Sequence, residues 1–301
     1  MGNLYIGTCS WADRHFIEHG GFYPPEARTS EARLRYYGSQ FNTVEIDAFY
    51  YALQSVERAT EWAMNWVEST PEGFLFNAKA FGLLTDHGTD PKRLPRDLRT
   101  QIPPELRERP KIYLRDLPEE VQDLVWEYFR VSLLPLARAG RLGYVLFQLP
   151  RWQRYTERAL DLCLRAKEKL SPYRIAVEFR HRDWYEGKKR ERAFSFLQEH
   201  GLIYVIVDLP DLPTLPPPGV VEVTGPWAVV RFHGRNAAGW SKRGATTDEV
   251  YDYCYSEDEL RPWAERILEL RDRTEATFAM FNNHVRGYSA KNASYLKWLV
   301  E

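Results

Sequence analysis

Cysteine is scarce in this chain. Cys9, Cys163 and Cys254 are widely spaced, odd in number and without a CxxC pair, which argues against a disulfide framework and a cysteine-built zinc site. An excess of one charge is missing too. The 41 Lys and Arg against 42 Asp and Glu leave a formal net charge of -1, so no global field draws the protein to nucleic acid or membrane, and any basic site must be local. No apolar run approaches the ~18 residues of a membrane span. "MGNLYIG" enters a strand-like pattern at once, without the features of a signal peptide, and Ile6 stands where a myristoylation motif needs Ser or Thr. A soluble, cytoplasmic protein is the expectation.

Present instead is material for a large core: 301 residues, 44% of them hydrophobic and 14% aromatic. Ten Trp and eighteen Tyr exceed what a core of this size needs, so some are expected to line a surface or pocket. Short apolar, β-branched or aromatic runs recur at 3–8, 43–47, 74–79, 144–149, 174–179, 202–207, 227–232 and 277–282. Several read as buried on both faces, as parallel strands are. Apolar positions at three-to-four spacing mark helices at 30–40, 56–68, 118–139, 155–169, 189–200, 257–273 and 289–299. Eight strands alternating with seven helices is the pattern of an α/β fold, a single (β/α)8 TIM-type barrel over residues 1–301. The sixth helix is replaced by a loop, because 210–226 holds six Pro and no helical period. A doubly wound open sheet is the rival. It usually brings a G-x-G-x-x-G loop after the first strand, and "IGTCSW" has one Gly.

In such a barrel the chemistry gathers at the C-terminal strand ends. Those ends carry Trp11; Glu45, Asp47 and Tyr50; Lys79; Gln148; Glu178, Arg180 and His181; Asp208; Arg231, His233 and Arg235; and Asn282, Asn283 and His284. The opposite ends, at Thr43, Tyr144 and Trp227, show no comparable set. One Glu or Lys inside a barrel often closes a buried ion pair, and one His is often structural. So many polar groups on a single rim point to a shared site.

"IGTCSW", "FYP", "FNTVEIDAFYY", "VEFRHRDW", "VVRFHGR" and "FNNHVRGYSAKNA" resemble the YecE-like family, domain of unknown function seventy-two, from Ile6 to about Ala293. The resemblance implies a TIM-type barrel and no established reaction. "CSW" stands where Ser-Gly-Trp is common in that family, and Cys9 in place of a hydroxyl argues against a nucleophile there.

Three chemistries fit this residue set. Glu45, Glu178 and Asp208 with His233 and His284 could hold a divalent metal for phosphoester hydrolysis, although no HxH or DxD pair supports it and no cofactor is obligatory. Alternatively Glu45 and Glu178 act as general acid and base, Lys79 or Arg231 holds an anionic oxygen, and His233 shuttles protons. The same paired carboxylates would suit a carbohydrate isomerase or hydrolase. Thirdly, Trp11, Tyr50, Tyr51, Trp184 and Trp240 among Arg180, Arg235, Lys242 and Arg243 could bind a nucleotide or single strand without catalysis. The basic stretch 92–115 would then lie over the site, or form an ordinary solvated loop. Lys79, Arg180, Arg231 and Arg235 are more positive charge than a neutral sugar needs. The favoured expectation is therefore acid/base or metal-assisted hydrolysis of an anionic, phosphate-containing ligand, with nucleic acid as its expected source and with catalytic Glu45, Lys79, Glu178 and His233. Trp11, Tyr50, Gln148, Arg180, His181, Asp208, Arg231, Arg235, Trp240, Asn282, Asn283 and His284 are its expected binding residues.

Overall fold

In the computed structural model, which describes residues 1–18 and 21–301, eight parallel strands close into a barrel in chain order. They are β1 (Asn3–Thr8), β2 (Thr43–Ile46), β3 (Leu75–Lys79), β4 (Leu142–Gln148), β5 (Arg174–Glu178), β6 (Ile203–Asp208), β7 (Trp227–Phe232) and β8 (Ala276–Phe281). Closure runs through β1 and β8, which pair from Asn3↔Ala276 to Thr8↔Phe281. This is a (β/α)8 TIM-type barrel.

Alternation along each strand sorts the side chains into two layers. Val44, Ile46, Phe76, Ala78, Val145, Phe147, Val177, Ile206, Val230 and Phe281 belong to the layer between barrel and helices. Tyr144, Val205, Val207, Val229, Phe278 and Met280 fill the barrel interior. Its lower part is aromatic: Tyr5 stacks on Phe278 at 4.7 Å, with Tyr144 and Trp227 each 5.2 Å from the same ring. A Cβ on Gly7 would stand 2.0 Å from the Thr43 carbonyl oxygen. Only glycine lets β1 lie this close to β2, the strand that carries Glu45.

The long helices follow the apolar spacing. Ser30–Gln40, Val56–Glu68 and Glu257–Arg273 have the expected bounds, and Glu119–Arg138, Glu157–Lys169, Gly187–Glu199 and Tyr288–Val300 differ by a residue or two. Capping explains several starts. The hydroxyl oxygens of Thr29, Ser55 and Thr156 accept from Ala32, Arg58 and Ala159 N–H, and Ser256 forms a reciprocal capping box with Glu259. Segment 209–226 contains no helix, since prolines cannot supply the amide hydrogens that a helix needs. Short helices at Arg14–Glu18, Ala48–Tyr51, Ala237–Ser241 and Thr247–Tyr251 lie in loops after strands β1, β2 and β7. Four or five residues are too few to display a period. No helix among the described residues is long and apolar enough to cross a membrane.

Strand phase also corrects one expectation. In β6 the inward residues are Ile203, Val205 and Val207, so Asp208 points out toward the helices. There its carboxylate accepts from Arg235 Nε and Nη2 (2.8 and 2.6 Å), Tyr255 Oη (2.7 Å) and Trp263 Nε1 (2.8 Å). Asp208 and Arg235 therefore bind each other and tie β6 to the helix Glu257–Arg273. Asp208→Ala would leave the Tyr255 and Trp263 donors buried without an acceptor. It should lower unfolding free energy by about 3 kcal/mol or more in urea titrations; a change of about 0.5 kcal/mol, as at an ordinary surface position, would contradict this structural role.

Candidate active site at the barrel mouth

The inward phase of β2, β3, β4, β5, β7 and β8 brings Glu45, Lys79, Gln148, Glu178, Arg180, Arg231, His233 and Asn282 together. Arg231 is the centre. Its Nη2 donates to Glu45 Oε1 at 2.6 Å and its Nη1 to Glu178 Oε2 at 2.5 Å, with all three side chains fully buried. Gln148 Oε1 lies 3.3 Å from Nη1, and Cys9 Sγ 3.5 Å from Nη2. The other oxygen of Glu178 meets His233 Nε2 and Arg180 Nη1, both at 3.1 Å. The second oxygen of Glu45 accepts from Tyr144 Oη at 3.2 Å.

Two chemically identical carboxylates are thereby made different. Burial raises both, but Arg231, His233 and Arg180 overcome it at Glu178 and hold that group well below the usual range. At Glu45 burial prevails over Arg231, with Asp47 adding to the rise, and the carboxyl is held above its ordinary value. Glu178 is ionised and fully engaged, whereas Glu45 is biased toward keeping a proton. Burial brings His233 down to about 3 against the pull of Glu178. The neutral ring fits its partners: Nε2–H donates to Glu178, and Nδ1 accepts from Asn282 Nδ2 at 3.0 Å. Cys9 is pushed well up, by burial and then by Glu45, so its thiol is no nucleophile.

Nearer solvent, Lys79 Nζ stands 4.3 Å over the Tyr50 ring. Burial pulls its pKa down, yet Asp47, Tyr251 and Tyr50 together more than compensate and leave it raised. Trp240 covers the mouth, with Arg151 and Arg180 at 4.7 and 5.4 Å from its ring and Tyr251 edge-on at 5.6 Å. His87 is lowered to about 4, chiefly by burial and then by Lys79 and Arg180.

Other expected members lie elsewhere. His181 accepts from Asp183 N–H and caps a short turn. Trp184 is stacked on Phe179 and donates to Gln153 O. Asn283 faces outward and donates to Tyr253 O and Asn292 Oδ1. Trp11 packs edge-on against Trp66 beside a cavity of about 490 Å³ that Glu45, Asp47 and Trp62 also line. It does not share the cover formed by Trp240. In the basic stretch, Arg107 and Arg115 hold local turns through Ile102 O, Thr100 O and Asp86. The proposed ligand set of Glu45, Glu178, Asp208, His233 and His284 does not converge. Asp208 faces outward, and the Arg231 guanidinium occupies the space between the two glutamates. Among the described residues, the groups whose ligand atoms do converge are His15, Asp248 and His284.

The sequence pattern sets Tyr144 at the opposite strand ends, away from the site, and gives no sign of His87, Arg151 and Tyr251. Tyr144 shares the inward parity of Gln148, and its length carries the hydroxyl up to Glu45 from the lower barrel. The other three come from loops, where no period exposes them.

A TIM barrel with a buried ionic layer beneath a cationic, aromatic mouth is the class of protein that this geometry defines. The chain belongs to the family described as protein of unknown function DUF72, whose model matches residues 5–301. It is 31% identical over 302 residues to UPF0759 protein YunF of Bacillus subtilis strain 168, covering 99% of this chain and 95% of that protein. Crystal structures of DUF72 family proteins are similar. The one from Enterococcus faecalis V583 has a TM-score of 0.78 at 26% identity, covering 99% of this chain and 95% of that one. The one from Thermotoga maritima MSB8 has 0.74 at 29% identity, covering 99% of each chain.

The displaced titration of His233 has a measurable consequence. Its folded value of about 3 lies below the ordinary 6.5, so between those limits the unfolded chain binds the extra proton. The contribution is fully present above pH 6.5 and is lost as pH falls toward 3, at up to about 1.4 kcal/mol per pH unit. His233→Gln, whose amide can donate to Glu178 and accept from Asn282, should flatten the stability profile across that window. An unchanged slope would contradict the neutral, buried imidazole.

Proposed function

We propose that the mouth binds a phosphate-bearing ligand with a flat ring system, and that the protein is a hydrolase of such compounds in which Glu45 is the proton donor. The observation that carries this reading is that two of the buried donors without a partner among the described residues, Arg180 Nε and Trp240 Nε1, lie together at the mouth. They lie in a wall that also holds Lys79 and Arg151. Neither Lys79 nor Arg151 has a carboxylate within ion-pair distance among the described residues. Guanidinium and ammonium groups suit phosphate oxygens, and the half-buried rings of Tyr50 and Tyr251 offer surface for stacking beside the buried Trp240.

The raised pKa of Glu45 favours the same reading. A proton kept on Glu45 leaves the guanidinium layer with less negative charge to balance, so the mouth gains affinity for an anion. Proton donation to a leaving oxygen is the acid half of ester hydrolysis, and the nearby cations stabilise charge that develops on phosphate oxygens. Glu178, kept ionised by Arg231, His233 and Arg180, has no proton to give; it holds those three groups in place and is a positioning residue. Paired-carboxylate glycoside chemistry fits less well, because Arg231 fills the gap that a glycosidic oxygen would need.

Calorimetric titration at low salt with a mononucleotide and a short single strand tests the binding half. Binding should weaken as salt rises, and Lys79→Met and Arg151→Ala should each cost about tenfold, the loss of one charge-assisted contact. No binding by the unmodified protein, with or without added zinc or magnesium, would overturn the reading.

A further inference from the structure

We infer that His15, Asp248 and His284 form a binding site for a divalent transition-metal ion of the zinc type, at the edge of the barrel mouth. The three residues come from loops that barrel closure makes neighbours. His15 follows β1, Asp248 lies in the long connection after β7, and His284 follows β8. Nothing in their sequence spacing would pair them.

Geometry carries the inference. His15 Nε2 and His284 Nε2 lie 3.4 and 3.8 Å from the same oxygen, Asp248 Oδ1, and the three ligand atoms all lie within 4.8 Å of one another. Two atoms each about 2.1 Å from one tetrahedral ion stand about 3.4 Å apart, so small side-chain rotations complete the shell. The surroundings prepare it. His284 Nδ1 is 3.1 Å from Asn282 O; a proton on Nδ1 donated to that carbonyl leaves the Nε2 lone pair facing Asp248, as for a metal-binding imidazole. Arg14 engages Asp248 through its other oxygen, Oδ2, so Oδ1 stays available to an ion.

The helix that presents Asp248, Thr247–Tyr251, is fixed at both ends. Thr246 and Glu249 form a capping box, and Asn236 Nδ2 donates to Glu249 O and Asp252 O. Two imidazoles and one carboxylate, partly buried, leave further coordination positions for water or substrate, the arrangement of a catalytic rather than a closed structural site. Imidazole nitrogen selects zinc and its neighbours over magnesium, which favours oxygen. Tyr251 connects the two sites: its ring lies 5.5 Å from His284 and 5.9 Å from His233.

The test is made on the full chain after chelation and dialysis, without nucleotide, so its outcome is separate from that of the anion titration. Calorimetry with Zn2+ should show one ion per chain, and magnesium should not compete. Co2+ in its place should give visible d–d absorption bands of nitrogen and oxygen ligation. His15→Ala, His284→Ala and the isosteric Asp248→Asn should each weaken Zn2+ binding more than about 100-fold, since losing a residue that merely orients a ligand costs about 10–100-fold. His200→Ala, at the end of the distant helix Gly187–Glu199, should leave it unchanged. Circular dichroism of the metal-free variants separates loss of a ligand from loss of the fold. Failure to bind Zn2+ below millimolar concentration, or equal binding by folded Asp248→Asn and wild type, would overturn the site.

Discussion

One guanidinium organises the upper barrel. Arg231 lies between Glu45 and Glu178, fully buried with both, and each of the three would be costly to bury alone. Desolvating an ion costs several kcal/mol even after relaxation, and attraction recovers this only when hydrogen bonds satisfy the remaining donors and acceptors. Here Tyr144, His233, Gln148 and Arg180 supply partners to the carboxylates and to Arg231 Nη1, while Arg231 Nε has none among the described residues. Three strands, β2, β5 and β7, are thereby cross-linked through the barrel interior. A hydrophobic layer would have closed the same space more cheaply, so stability alone gives little reason for this one. Its product is an asymmetric pair of carboxyl groups beneath a mouth rich in cations.

The exit of the chain from β7 shows how local backbone serves that arrangement. Arg231 and His233 share one parity and both point inward. Gly234 follows with φ +83°, where a Cβ would stand 2.8 Å from Tyr253 Cβ. Glycine therefore turns the chain immediately after the last inward residue. Its N–H donates to Tyr255 Oη, which in turn donates to Asp208. The outward network of Asp208 thus supports the segment carrying His233, although Asp208 never reaches the cavity.

The barrel was legible in the sequence because strand runs, helical spacing and a proline-rich gap are local signals. Most of the buried layer was legible too, since polar residues at the ends of apolar strands are conspicuous. Phase was harder. In β6 both faces are apolar, so "IYVIVD" does not reveal whether its terminal Asp points in or out, and packing against Trp263 decides. Asn282 and Asn283 are adjacent, so a strand end that directs one inward must direct the other outward. The loops hid the most. His15, Arg151, Asp248 and Tyr251 have no period to mark them, and His15 meets Asp248 only because a closed barrel makes its last loops neighbours of its first.

The unequal protonation of Glu45 and Glu178 is what the rest of the site depends on, and a pH titration of the carboxyl resonances by NMR on 13C-glutamate-labelled protein reads it most directly. One glutamate should titrate above the ordinary 4.5, and that resonance should disappear in Glu45→Gln while another remains ionised to the lowest pH at which the fold persists. Glu45 titrating at or below 4.5, or a raised resonance that survives in Glu45→Gln, would contradict it.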